Sequence, residues 1–432
     1  MLGRRSLEVA VGIALAALFA AYRLWQGLTG AALVWQDTAG YQESALWGGV
    51  RPPVAPIVWD LTGTPRSYVV VQTLVAIAAW CFLAWTVAML VRPGWRCLLA
   101  GGVVLAFAST TPIVQWDRSV LSESLSFSAL ALVFATAIRV TRRVTWPRVA
   151  ALLAASAVLA LLRDSLVWMV AGMAVAVVTY AIVNNAGRRV IALGVLLLAV
   201  SGFAVLGQAA AQRNVANVQH VLFVRIFPYP DRVEWFADRG MPNKNEVLRY
   251  ADAAKAERGQ AKIVGIADSD PTVQPLVRWM HNDAMGVYLE WLALHPGYVL
   301  TEPLREPERN FNNAGGRLDF YAAVDRTDLP VLNTLFDPGL WWVLAAAVIA
   351  LAVGLQRQVW RERWWRMVAL LLVLSALQIL VAWHGDAAET TRHGIVGSVS
   401  VRLSVLVLLV AGSLAPVPRR QRSPTHGYAP AC

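Results

Sequence analysis

Fifteen charged residues carry the candidate chemistry of this chain, because each lies between or within apolar stretches: Arg23, Asp37, Glu43, Arg51, Asp60, Arg66, Asp117, Arg118, Glu123, Arg163, Asp164, Asp386, Glu389, Arg392 and Arg402. Carboxylates in such surroundings can accept the proton of a hydroxyl nucleophile. Guanidiniums offer paired N–H donors to a phosphate. Asp37 stands in Gln36-Asp37-Thr38-Ala39-Gly40-Tyr41, ahead of the irregular run Gly48-Gly49-Val50-Arg51-Pro52-Pro53. It reads either as a proton acceptor or as the cap of a short helix at Thr38. Asp117 and Glu123 belong to Trp116-Asp117-Arg118-Ser119-Val120-Leu121-Ser122-Glu123-Ser124. Six positions turn a helix by about 240°, so the two do not share a face. Asp117 suits a helix start, either acting on a substrate or paired to Arg118; Glu123, at the edge of hydrocarbon, reads as functional.

Three further elements are basic. Arg163-Asp164-Ser165 interrupts an apolar stretch, as a contact for an anion or as a local ion pair capping two helices. His384-Gly385-Asp386 and Glu389-Thr390-Thr391-Arg392-His393 precede the last apolar stretch, with Arg402 inside it. A lone Arg there needs an anion: a phosphate at the interface, or an internal partner such as Glu123 or Glu389. His384, Asp386 and His393 are metal-ligand types, but their spacing matches no established site, so a divalent cation stays open. The sequence has no GxxxxGK[ST] loop, and no nucleotide cofactor is expected.

The elements that must position these side chains are membrane helices. Of 432 residues, 57% are apolar and 15% charged, against about 25% charged in a soluble domain. A soluble globular enzyme is excluded, and the second solvent is a bilayer. Ten apolar stretches, near 8–26, 67–91, 97–115, 124–138, 149–162, 165–183, 189–210, 339–356, 367–384 and 395–415, predict an all-α polytopic membrane protein with about ten transmembrane helices. The region 149–183 is predicted as two short or tilted helices meeting at Arg163-Asp164. With the first terminus in the cytoplasm, the short inner connections and termini hold 17 arginines, with only Glu8 and Glu362 as acids. That is the positive-inside pattern. The net charge of +11 is therefore a topology signal, and nucleic acid is not expected as a partner. Cys81, Cys97 and Cys432 suggest neither a disulfide nor a zinc site.

On this topology the fifteen residues all fall in outer loops or outer halves of spans. Residues 1–210 form an N-terminal membrane core with an outer loop at 27–66, 339–415 three C-terminal helices, and 416–432 a cytoplasmic polar tail. The segment 211–338, with 14 basic and 17 acidic residues, reads as a mainly helical extracytoplasmic domain between the seventh and eighth helices. Asn245 to Lys262 and Val277 to Leu294 are predicted helical there. Its aromatics, including Trp235, Trp279, Tyr288 and Trp291, suit packing better than an assigned sugar site.

An outer-loop Asp shortly after the first helix, a Gly/Pro-rich segment, an acidic element before the fourth span and an Arg-His element opening the last helix resemble the GT-C superfamily of membrane glycosyltransferases. The resemblance covers 1–210 and 339–415 and rests on arrangement rather than on a sharp motif. It implies transfer of a sugar from a polyprenyl-phosphate-linked donor to an acceptor hydroxyl on the outer face of the cytoplasmic membrane, with inversion. Asp37 would be the base, with Asp117 and Glu123 positioning the acceptor or a metal. Arg163, Arg392, His393 and Arg402 would hold the donor phosphate. Partners implied are the lipid-linked donor, a cell-envelope glycan, lipid or protein acceptor, and membrane lipids. Arg-over-Lys and Ala-rich usage suggests a GC-rich bacterium. The rival classes are a transporter or flippase of lipid-linked material, whose polar residues would line a path to the inner side, and an assembly or sensor protein acting through 211–338.

Overall fold

The computed structural model describes residues 2–42, 49, 51–91, 93–248, 271–305, 307, 311, 329–385, 387 and 390–416. Among these the chain is almost entirely helical and has no strand; an isolated parallel bridge pairs Leu33 with Ser119. The first ten helices are α1 (Leu2–Leu28), α2 (Gln36–Gln42), α3 (Val54–Thr62), α4 (Pro65–Ala88), α5 (Trp95–Ala108), α6 (Thr111–Val114), α7 (Glu123–Arg142), α8 (Trp146–Ala160), α9 (Val167–Val183) and α10 (Arg188–Ala210). There follow α11 (Arg213–Val221), α12 (Pro230–Ala237), α13 (Gln274–Asn282), α14 (Ala284–Leu294), α15 (Pro296–Thr301), α16 (Pro330–Phe336), α17 (Leu340–Gln356), α18 (Arg363–Gly385) and α19 (Thr390–Leu414).

Among the described residues, seven segments are long and apolar enough to cross a membrane: those of α1, α4, α7, α9 with its preceding turn, α10, α18 and α19. An eighth is obtained if α16 and α17, bent by 58° at their junction, count as one broken span. The other two predicted spans are shorter. At 1.5 Å per residue, α5 and α8 reach about 21 Å and about 22 Å, less than the roughly 30 Å of hydrocarbon. Both stop where the chain turns irregular and carries Asp117 or Arg163 inward. Irregular backbone at this depth requires protein partners. The 115–121 turn finds them: Leu33 N–H donates to the Arg118 carbonyl (2.8 Å), Val120 N–H to that of Leu33 (2.9 Å), and Gln72 Nε2 to those of Asp117 (2.7 Å) and Ser119 (2.8 Å).

Helices α7 and α19 are the most enclosed spans. Their small polar residues explain why: Ser124, Ser126 and Ser128 on α7 and Ser398, Ser400 and Ser404 on α19 are buried. Short side chains let helix backbones approach closely, and the hydroxyls of Ser126, Ser128 and Ser404 return their hydrogen bonds to carbonyls one turn back. Gly397 of α19 meets α18 at such a contact. A Cβ there would lie 2.0 Å from Gln378 Oε1, 2.8 Å from Ile379 Cγ1 and 3.1 Å from the Ser375 carbonyl oxygen. Gly397→Ala is expected to destabilise the protein by about 1–3 kcal/mol. Thermal unfolding in detergent checks this against Gly202→Ala on α10, where a Cβ meets nothing within 4 Å and little change is expected.

Four of the arginines predicted as cytoplasmic bind carbonyls at or beside helix C-termini. Arg142 donates to the Met89 carbonyl (3.0 Å), Arg148 to that of Arg139 (3.0 Å), Arg189 to that of Val144 (3.2 Å) and Arg357 to that of Ala415 (2.8 Å). Cations at helix C-termini offset the partial negative charge there.

Within 211–338, the described helices α11 to α14 build a hydrophobic cluster of their own, including Leu222, Phe227, Phe236, Trp279, Tyr288 and Trp291. The helix predicted over Val277 to Leu294 is broken at Asp283 into α13 and α14. Most of the Asn245–Lys262 stretch lies outside the described residues. The aromatics pack on one another: Trp235 and Trp291 meet edge to face at 5.0 Å, and Trp291 stacks on His295 at 3.6 Å.

Candidate functional site

Helix α2 opens with Gln36 and Asp37 because Thr38 fixes its entry: Thr38 Oγ1 accepts from the Trp35 N–H (3.0 Å) and donates to the Val120 carbonyl (3.0 Å). This holds Asp37 against the N-terminus of α7. Asp37 Oδ1 accepts from Arg51 Nη2 at 2.7 Å, and Oδ2 accepts from Arg392 Nη1. Arg392, near the start of α19, also donates through Nε to Glu123 Oε1. The same oxygen accepts from Arg163 Nη1 at 2.7 Å. Four segments far apart in sequence thus meet in one chain of alternating charge, Arg51–Asp37–Arg392–Glu123–Arg163. Asp37 and Arg392 are 355 positions apart.

The cluster is enclosed rather than sealed. Glu123 is fully buried, Arg163 and Arg392 nearly so, whereas the side chains of Asp37 and Arg51 are 13% and 36% exposed. Glu123 Oε2 is buried and has no hydrogen-bond partner among the described residues. That oxygen can still accept a hydrogen bond from a hydroxyl or a water. Tyr41, one turn beyond Asp37, is buried beside the cluster; burial, reinforced by the negative charge of Glu123, pushes its hydroxyl up to about 12. It remains a protonated hydrogen-bond donor at neutral pH. Arg51 reaches Asp37 across Gly40, where a Cβ would lie 3.1 Å from Arg51 Nε. Outside the cluster, Arg51 lines a small cleft with Pro52, Pro53, Leu161, Phe203, Ala204 and Gly207. Asp164 and Arg213 close that cleft through two bonds of 2.9 Å, and Arg213 also donates to the Gly49 carbonyl (2.9 Å).

Other sequence candidates sit elsewhere. Asp117 is fully buried against Arg23 of α1, with Arg23 Nη2 and Nε each 2.7 Å from a carboxylate oxygen. It also accepts from Ser124 Oγ at 2.8 Å. Arg118 instead reaches the Ala31 carbonyl at 3.2 Å. Asp117 therefore joins α1 to the start of α7, and it touches neither Asp37 nor Glu123 in the bonds above. Arg163 and Asp164, considered as a local pair, bind Glu123 and Arg213 respectively.

Arg402 lies ten residues beyond Arg392, about 15 Å along α19. Its anion is Asp337, 3.0 Å from Nη2, and it donates to Ser398 Oγ and to the carbonyls of Phe311 (2.8 Å) and Pro338 (3.0 Å). These partners fasten the bend between α16 and α17. Arg402→Met is expected to cost about 3–5 kcal/mol, because Asp337 would remain as an uncompensated buried charge. Unfolding measurements on Arg402→Met, Asp337→Leu and the double variant check this: the double variant should recover much of the loss.

His393 is half-buried, and its carbonyl accepts from Gln378 Nε2 at 3.3 Å. His384 is taken up by Tyr288, whose hydroxyl is 3.3 Å from Nδ1, and by the Val299 carbonyl, 3.0 Å from Nε2. Glu43, Asp386 and Glu389 lie outside the described residues. Among those described, no three His, Cys, Asp or Glu side chains converge as metal ligands. Asp37 and Glu123 are already bound to three guanidiniums, which a divalent cation would have to displace.

Sequence reasoning counted Arg51 among the candidate charges without giving it a partner, and it did not single out Tyr41. Their signals were present, an Arg directly before Pro52-Pro53 and a Tyr one turn after Asp37, but neither names a partner.

No protein-family model matches the chain, and no curated protein matches it. Among solved structures it is similar to the crystal structure of the Archaeoglobus fulgidus oligosaccharyltransferase tethered with an acceptor peptide containing the NVT sequon via a disulfide bond. The identity is 12% and the TM-score 0.41, over 91% of this chain and 49% of that one. The chain spans about half the length of the oligosaccharyltransferase chain it matches.

Proposed function

We propose that this protein is a GT-C-type membrane glycosyltransferase that transfers a sugar from a polyprenyl-phosphate donor to an acceptor hydroxyl at the outer face of a bacterial cytoplasmic membrane. The observation that carries the reading is the convergence of Asp37, Glu123, Arg163 and Arg392 at one end of the helical bundle. Carboxylates and guanidiniums gathered there can accept a hydroxyl proton and hold a departing phosphate. The Arg51–Asp164–Arg213 cleft, with its apolar walls, suits a ligand that combines an anionic head with a hydrocarbon chain.

In this reading the acceptor oxygen forms its bond to the anomeric carbon as the carbon–oxygen bond to phosphate breaks, with inversion. The hydroxyl proton passes to Asp37, and the electron pair leaves with the phosphate, held by Arg392 and Arg163. Glu123 fixes both guanidiniums through Oε1 and offers Oε2 to a sugar or acceptor hydroxyl. Asp117 and Arg402 take no part in the transfer and hold the helices that do.

The test supplies purified full-length protein with polyprenyl-phosphate hexoses and pentoses labelled in the sugar, together with cell-envelope extracts as acceptor. Time-dependent release of polyprenyl phosphate with label in the acceptor fraction is expected for at least one donor. If no lipid donor turns over while the protein stays monodisperse, the assignment to this class fails.

A further inference from the structure

In the structure both oxygens of Asp37 are taken by guanidiniums. Oδ1 receives Arg51 and Oδ2 receives Arg392. These are charge-assisted bonds, stronger than those a neutral hydroxyl can offer, so an acceptor alcohol competes poorly for the same lone pairs. The two guanidiniums are held differently. Arg51 touches Asp37 from the more exposed side, and its side chain is 36% exposed. Arg392 is 7% exposed and bridges two carboxylates, using Nη1 for Asp37 and Nε for Glu123. Glu123 is fully buried and further secured by Arg163. Arg392 is therefore held at two points, Nε on the fully buried Glu123 and Nη1 on the partly exposed Asp37.

A guanidinium does not leave a buried carboxylate without a replacement, because breaking such a pair strands a charge. A phosphate is a replacement of the same sign, and its oxygens match the planar fork as well as a carboxylate does. Resting on the glycosyltransferase reading above, we propose that Arg392 is a donor-sensing bolt on the catalytic base. Where Arg392 lies in the structure, it blocks Asp37 Oδ2. The phosphate of the lipid-linked donor draws Nη1 away while Nε stays on Glu123, and Asp37 then becomes available to the acceptor hydroxyl. No covalent bond changes in this step. Arg392 exchanges one anion for another, and Asp37 retains Arg51. Donor must therefore bind before acceptor, and the base is withheld until there is a sugar to transfer. The phosphate shifts the arginine only because it binds the turned conformation better than the bolted one.

Carboxyl labelling tests this directly. Purified full-length protein in an uncharged detergent is treated with a water-soluble carbodiimide and an amine, and modification of Asp37 is followed by peptide mass spectrometry. Samples contain no lipid, long-chain polyprenyl phosphate, or the uncharged polyprenol of the same length; native mass spectrometry reports bound lipid in each. Polyprenyl phosphate is expected to raise Asp37 labelling on the order of tenfold, the change produced by a shift of about 1.4 kcal/mol in the blocked–open equilibrium. Polyprenol should leave it unchanged. Arg392→Gln should label at the raised rate without lipid and no longer respond to it.

Bound polyprenyl phosphate with Asp37 labelling unchanged would overturn the bolt and leave the donor reading standing. Equal protection of Arg392→Gln and wild type would do the same. Failure of polyprenyl phosphate to bind would remove the donor reading and the bolt with it. Should Arg392→Gln fail to fold, the wild-type comparison with and without lipid decides the matter.

Discussion

Asp37→Asn is expected to lower sugar transfer by about 10²–10⁴-fold, the usual contribution of a positioned general base. The amide is close in size to the carboxylate, so α2 should keep its place through Thr38, which bonds to Trp35 and Val120 independently of residue 37. What is lost is the proton acceptor and the negative charge between Arg51 and Arg392. Donor binding should survive, since removing an anion beside Arg392 leaves that guanidinium more available to phosphate. The measurement is initial-rate transfer with a saturating lipid donor, paired with donor binding by native mass spectrometry. Loss of turnover with donor binding intact supports the base assignment. Full activity in Asp37→Asn would remove it, and Glu123, whose Oε2 lacks a partner among the described residues, would be the next carboxylate to test.

The second large effect is on stability. Asp117→Leu should strand Arg23, which is fully buried and donates to Asp117 and to the Ala108 carbonyl. Breaking a buried pair from one side costs about 3–5 kcal/mol, a large fraction of the 5–15 kcal/mol that holds a typical domain. Asp117 also accepts from Ser124, so the start of α7 loses an attachment, and Glu123 is the residue before Ser124. Activity should fall as well, through the fraction of folded protein. Replacing both partners, Arg23→Met with Asp117→Leu, should recover most of the stability, because apolar side chains of similar volume remove both desolvation costs. Monodispersity and unfolding temperature in detergent read out all three variants. Equal stability of Asp117→Leu and wild type would show that the pair does not secure α1 to α7.

Hydropathy and charge made much of the scaffold legible. Each predicted span has a helix in the structure, because runs of apolar residues bounded by arginine satisfy both the backbone and the hydrocarbon. Length was less legible than position. The irregular chain that follows α5 and α6 is held by Gln72, Thr38 and Tyr68, which donate to the carbonyls of Asp117, Val120 and Leu121, and the Leu161 carbonyl after α8 accepts from the Val54 N–H, so residues distant in sequence take up these carbonyls. The break at Asp337 likewise depends on Arg402, 65 positions away, which takes up the carboxylate and the Pro338 carbonyl.

The candidate site divides in the same way. Scarcity of charge let the sequence name Asp37, Asp117, Glu123, Arg163, Arg392 and Arg402, since an ion in an apolar chain must have a use. It left Asp37, Asp117, Arg163 and Arg402 with two roles each, because spacing along a helix specifies a face and says nothing of the ion on the neighbouring helix. Only the packed structure chose: Arg23 for Asp117, Asp337 for Arg402, and one shared cluster for Asp37, Glu123, Arg163 and Arg392. The physical reason is range. Burial preference is a property of each side chain and is written locally, whereas an ion pair depends on distances of a few ångströms fixed by how whole helices pack.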